Sequence, residues 1–149
     1  MKFFNTVDIK VFVKPGEDES PIAEKLRSFV PLDLEKEKIQ IKRTAAEGFE
    51  DRKIVILEVN LAKEKHTNAF LKKLIELLGK EQKEMILRQA ETRLDDEFNF
   101  FIRFDKDKLL NENKYWVVDS GSCFHLKMNI ACFPRKRQEA LKIIQNIFK

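Results

Sequence analysis

The stretch Asn99–Leu110, NFFIRFDKDKLL, decides how the rest of the chain is read. Phe98, Phe100, Ile102 and Phe104 recur at every second position, with Asn99, Phe101 and Arg103 between them. A period of two belongs to a strand with one buried face, because successive side chains leave the backbone on opposite sides. The alternation stops at Asp105, which can cap a short helix through KDKLL by accepting a hydrogen bond from a first-turn N–H. The pattern puts the three phenylalanines and Ile102 in the core and turns Arg103 away from it.

Two flanking segments share that period. FFNTVDIKVFVK (3–14) sets Phe3, Val7, Ile9, Val11 and Val13 against Thr6, Asp8, Lys10 and Phe12. SCFHLKMNIACF (122–133) sets Phe124, Leu126, Met128 and Ile130 inward and His125, Lys127 and Asn129 outward. KIQIKRT (38–44) alternates with Ile39 and Ile41 inward and Lys38, Gln40 and Lys42 outward. KIVILEVN (53–60) is apolar at nearly every position, as in a strand covered on both faces, and forms a hairpin with its predecessor through AAEGFED.

Helical spacing fills the gaps. Ser20 caps a helix with Pro21 at its first position and Ile22, Leu26, Phe29 and Val30 on one side. His66, Phe70, Leu74 and Leu78 line a second helix that stops at Gly79, and EQKEMILRQAETRL follows as a third. A last helix buries Ala140, Ile143, Ile144 and Ile147, with Pro134 at or near its start. This order predicts an α+β fold: a mixed or antiparallel sheet of about five strands with helices mainly on one face, residues 1–149 forming a single domain.

Composition narrows the function. The 13 phenylalanines supply core material despite a charged fraction of 36%. No apolar run approaches the roughly 20 residues of a membrane span, and MKFFNTVDIK alternates instead of forming a signal-peptide core, so a cytoplasmic protein is expected. Cys123 and Cys132 form no CxxC pair, and His66 and His125 lie far apart without a ligand-spaced partner, so neither a disulfide nor a metal site is expected. Asp95 and Asp96, like Glu17 and Asp18, fall in loops, where they read as solvated charge or caps. Glycine-rich phosphate loops and nucleophile elbows are missing, so the expectation is a non-enzymatic protein without a cofactor. The net charge of +4 is uneven: residues 96–149 hold 10 basic and 7 acidic side chains, which suits a polyanionic partner.

The outward strand positions are cationic and aromatic: Lys10, Phe12, Lys42, Phe101, Arg103, His125 and Lys127. Rings and guanidinium planes stack on bases while lysines meet phosphates, so this inventory fits a single-stranded RNA platform. Two alternatives stand beside it. The lysines could serve solubility alone, with Arg103 paired to Asp105. Or the face could be a protein interface anchored by Phe12 and Phe101.

The segments EGFEDRKIVILEVNLAKEKHTNAFLKKL, FFIRFDKDKLL and FHLKMNIACFPRKRQEALKII resemble an archaeal family of small RNA-binding proteins predicted to be exosome subunits, whose fold is similar to that of the ribosomal protein that binds five-S RNA. The most specific pieces are Arg103, Phe104, Asp105 and Lys106, and the basic run after Pro134. Where that family often has first-strand histidines and a glycine-rich loop before the third strand, this chain has Phe4, Thr6 and Lys10, and Gly48. The resemblance implies RNA as partner, protein subunits of an RNA-processing complex as possible company, and Lys106 as a further contact. Arg135, Lys136 and Arg137 complete the candidate set: three cations at a helix N-terminus are the wrong sign for the helix and the right sign for phosphate.

Overall fold

The computed structural model describes residues 1–47 and 53–149, so most of the turn expected through AAEGFED lies outside it. Twelve elements follow one another: β1 (Phe4–Val13), α1 (Glu19–Arg27), β2 (Lys42–Glu47), β3 (Lys53–Leu61), α2 (Glu64–Leu77), α3 (Lys80–Arg88), α4 (Ala90–Arg93), β4 (Asn99–Asp105), α5 (Lys106–Glu112), β5 (Val117–Val118), β6 (Cys123–Ile130) and α6 (Arg137–Phe148). The strands form one antiparallel sheet in the order β2-β3-β1-β6-β4-β5. The fold is α+β, with β6, the last strand made, filling the middle.

All six helices contribute to the core on one side of this sheet. Val7, Ile9 and Val11 of β1, Phe100, Ile102 and Phe104 of β4, and Phe124, Leu126 and Met128 of β6 are almost completely excluded from solvent. Phe29, just beyond α1, is packed 5.9 Å, centroid to centroid, from both Phe104 and Phe124. Burying one such ring stabilises by about 1.5–3 kcal/mol, so this cluster ties α1 to the two strands that carry most of the outward cations.

Several expectations need correction. The β1/β6 register shifts between Phe4 and Thr6, so Phe4, not Phe3, enters the core. β2 starts only at Lys42: a turn ends at Lys38, whose φ is +57°, and Ile39 and Ile41 pack on the core from a non-strand segment. The β2–β3 hairpin forms. β3, however, is covered on one face only, leaving Ile54, Ile56, Glu58 and Asn60 on the open side. Asp18, not Ser20, caps α1, its carboxylate accepting from the Ser20 N–H at 3.3 Å. Phe98 has a φ of +68° and lies just before β4. Asp105 does cap α5, accepting from the Lys108 N–H at 2.9 Å.

Lys106 and the cations before α6 also depart from expectation. Lys106 is 1% exposed, and its Nζ donates to the Phe12 carbonyl and to Glu17 Oε1, both at 2.6 Å. An ammonium held in that way is a structural tie between α5 and β1. α6 begins at Arg137 with Lys136 as N-cap, so Pro134 precedes the helix. Arg135 lies 4.9 Å over the Phe98 ring and donates to the Glu97 carbonyl at 3.2 Å, while Arg137 donates to the Glu91 carbonyl at 2.6 Å. Both guanidinium groups are engaged within the fold, and only Lys136 of the three stays free among the described residues.

Two outcomes follow for stability. Phe100→Ala is expected to cost about 3–5 kcal/mol in urea unfolding, and Phe101→Ala, on the other face, less than about 1 kcal/mol. Replacing Arg135 and Arg137 with Gln is expected to lower the melting temperature by a few degrees, as differential scanning fluorimetry would show.

Candidate nucleic-acid interface

Strand register builds the site. Lys42 of β2 faces Glu58 of β3, Glu58 faces Lys10 of β1, Lys10 faces His125 of β6, His125 faces Arg103 of β4, and Arg103 faces Val118 of β5. One transverse row therefore crosses all six strands on the open face. The neighbouring row holds Asn60, Asp8, Lys127 and Phe101. Opposed residues in antiparallel strands have Cβ atoms about 4.5–5.5 Å apart, so Lys10, His125 and Arg103 form one continuous patch with Lys127 beside it.

The patch is aromatic as well as cationic. The Phe101 ring centroid lies 5.4 Å from that of His125 at a 40° tilt, and the Arg103 guanidinium carbon lies 5.9 Å from the Phe101 centroid. Phe12, 50% exposed, sits one outward position beyond Lys10. These planar groups are arranged side by side, as stacking on bases requires.

Charge here is unbalanced. Among the described residues no carboxylate lies within ion-pair distance of Lys10, Lys127 or Arg103, so the Arg103–Asp105 pairing considered from the sequence does not form. Burial, and then the charges of Arg103, Lys10 and Lys127, hold the His125 imidazole below its ordinary value. Burial pushes the neighbouring Cys123 thiol up. Lys42 shares the face but is separated from Lys10 by Glu58, so the cationic field belongs to β1, β6 and β4.

Some residues that matter to the site were not legible as such. Arg93 of α4 is 6% exposed and donates to the Phe101 carbonyl at 3.3 Å and to Asp119 at 3.2 Å. It closes the edge of β4 beyond the short β5 and fixes the backbone that displays Phe101. Asn129 donates to Asn99 at 3.0 Å and accepts from Asn5 at 2.9 Å, and Asp95 accepts from the Asn99 N–H at 2.8 Å. Burial raises the Asp95 carboxyl, but these bonds, the Glu97 N–H and the nearby Lys127 charge outweigh it and hold it low. This amide cluster anchors one end of the face. The described residues hold no group of three His, Cys, Asp or Glu placed to bind a metal ion, and no described helix is long and apolar enough to cross a membrane.

Comparison with known proteins places the chain. The RNA-binding protein PAB1135 of Pyrococcus abyssi is 25% identical over 142 residues, covering 95% of this chain and 91% of that protein. The crystal structure of protein AF2318 from Archaeglobus fulgidus superposes with a TM-score of 0.83 at 27% identity, covering 97% of this chain and 99% of that one. Mth689 from Methanothermobacter thermautotrophicus gives 0.78 at 27% identity, covering 99% of this chain and all of that one. The family described as RNA binding matches residues 6–130, the span from β1 to the end of β6 that carries the whole open face, and the chain belongs to that family.

Proposed function

We propose that this protein binds single-stranded RNA, without catalysing its conversion, on the open face of strands β1, β6 and β4. One observation carries the reading: Lys10, His125 and Arg103 share a register row beside Lys127 and Phe101, with no carboxylate paired to any of the three cations among the described residues. Repulsion of this kind is relieved by phosphate, and exposed rings between the cations meet unstacked bases. The name of the Pyrococcus abyssi relative supports the same partner. The finer parts of the proposal are that residues 1–149 act as one RNA-binding domain in the cytoplasm and that it works beside RNA-processing or RNA-degrading machinery as an exosome-like subunit. The first two rest on the length and apolar patterning of the chain, and the last on the sequence resemblance.

A second reading has its own observation. Phe12, Ile54 and Ile56 place apolar surface on the β1–β3 half of the open face, which would suit a protein partner. Salt separates the two, because phosphate contacts release counterions and apolar contacts do not.

Fluorescence anisotropy with a generic single-stranded RNA at several salt concentrations is expected to give affinity that falls steeply with salt. Lys10→Ala and Arg103→Gln should each flatten the log–log slope by roughly 0.7, and Phe101→Ala should weaken binding by about 1–3 kcal/mol. A salt-independent affinity unaffected by these changes would sink the RNA reading.

The His125 environment predicts a pH dependence. The imidazole of the free protein is held below the ordinary value of about 6.5, so it is neutral at pH 7; a phosphate placed among Lys10, Arg103 and Lys127 offsets their repulsion and raises it. RNA binding then takes up a proton, and affinity should rise a few-fold as pH falls from about 6.5 toward 5.5. His125→Gln should abolish that rise. In the same window the free protein should lose stability, because the unfolded chain protonates His125 first.

A further inference from the structure

The open face is not level at its β1–β6 end. Phe12 and Lys10 of β1, Lys14 just after it, Arg103 and His125 surround a concavity of about 520 Å³ whose far wall is the turn into β6 at Gly121–Cys123. That volume lies within the range of small-ligand sites, roughly 300–1,000 Å³. The wall is fixed from behind: the Lys106 N–H donates to the Ser122 carbonyl at 3.1 Å, and Lys106 Nζ ties the same region to the Phe12 carbonyl. Gly121, at φ +92°, would have nothing within 4 Å of a Cβ, so bare backbone forms the rim.

The chemistry of this hollow is one-sided. Three cations line it and no carboxylate does. The acids nearest along the chain are occupied: Asp105 accepts from the Lys108 N–H at 2.9 Å, Asp8 from Asn60 at 2.6 Å, and Glu17 from Lys106 Nζ at 2.6 Å and the Lys14 N–H at 2.7 Å. Neither Lys10 nor Arg103 has an ion-pair partner among the described residues, and Arg103 is partly buried. Between Lys10 and Lys14 the exposed Phe12 ring offers a flat apolar surface. A ligand that fits must combine a planar ring with an anionic group in one compact unit.

We infer that this concavity takes one nucleoside phosphate, its base against Phe12 and its phosphate among Lys10, Lys14 and Arg103. The inference rests on the RNA reading above, in which the unit is a single unpaired nucleotide of a strand crossing β1, β6 and β4. The same chemistry could come from a free nucleotide, and the test separates the two sources.

Cys123 lines the hollow, and Cys132, beyond the far end of β6, does not, so the intact protein carries both a probe and an internal reference. Iodoacetamide labelling of the two thiols is followed by mass spectrometry at mildly alkaline pH, with oligouridylate, uridine monophosphate or inorganic phosphate present, and RNA binding is read in parallel by anisotropy. Oligouridylate is expected to slow labelling of Cys123 at least fivefold and to leave Cys132 unchanged. Phe12→Ala, at an exposed position, should remove the protection. Lys127→Ala, outside the hollow, should weaken binding yet leave protection intact at saturating RNA. Equal protection by the monophosphate, without RNA binding, would uphold the site with a free nucleotide as its source and overturn the RNA reading. RNA that binds without protecting Cys123 would overturn the hollow and spare the platform. Protection by inorganic phosphate as strong as by the nucleotides would overturn the base contact, and no binding and no protection by anything would overturn both proposals.

Discussion

The buried face of β6 sets everything on its other side. Phe124, Leu126, Met128 and Ile130 are held in the core, so His125, Lys127 and Asn129 have no choice of face. β6 is paired to β1 and to β4 along most of its length, and those pairings deliver Lys10 and Arg103 to either side of His125. A slip of one residue would put a lysine and a histidine among phenylalanines, at a cost of several kcal/mol for each charge left unpaired. The register of the candidate site is thus enforced by the hydrophobic core, and the site itself need supply none of the energy that positions it.

What the site does supply is repulsion, and the rest of the molecule shows how deliberately localised that is. Elsewhere several acids are matched. Glu17 meets Lys106, Glu37 meets Lys65 and His66, Asp119 meets Arg93, and Asp8 accepts from Asn60 at 2.6 Å. Glu58 also stands between Lys42 of β2 and Lys10 of β1. Across β1, β6 and β4, Lys10, Lys127 and Arg103 stand around one imidazole without an ion-pair partner among the described residues, and burial together with their charges holds that imidazole below its ordinary value. The one carboxylate opposed to a cation of this patch, Asp8 across from Lys127, accepts from Asn60 and makes no ion pair with that lysine.

The sequence made the site legible wherever one-sided burial governs. In β4 and β6 the alternation is clean because one face meets helices and the other meets solvent, so Phe101, Arg103, His125 and Lys127 could be placed by parity. Parity failed where a local event broke the period or where burial depended on distant partners. The register shift after Phe4 moved the start of β1 by one residue, and no residue type there announces it. Lys106 reads as one more charge in DKDK, and only the meeting of α5 with the end of β1 reveals the carbonyl and carboxylate that bury it. β3 looked fully covered because Ile54 and Ile56 are apolar, although the sheet leaves them on the open side. The acceptors of Arg135 and Arg137 are backbone carbonyls of Glu97 and Glu91, far away in sequence, so their engagement is not legible in the basic run. Strand neighbours, and so the row through Lys10, His125 and Arg103, were beyond reach for the same reason.

The way the amides are used bears on what kind of RNA recognition the face can offer. Base identity is read by groups that donate and accept at fixed angles, and asparagines do this well. Four asparagines lie on or beside the open face, and each is already committed: Asn5, Asn99 and Asn129 to one another and to Asp95, and Asn60 to Asp8. The groups left over are ammonium, guanidinium and aromatic rings, which hold phosphates and stack on any base. Such a surface distinguishes unstacked strands from duplex, because rings reach only bases that are already splayed out. On the proposed reading, such a face would select single-strandedness over sequence. Any finer choice would have to come from the enclosed end beside Phe12, where shape as well as charge is defined.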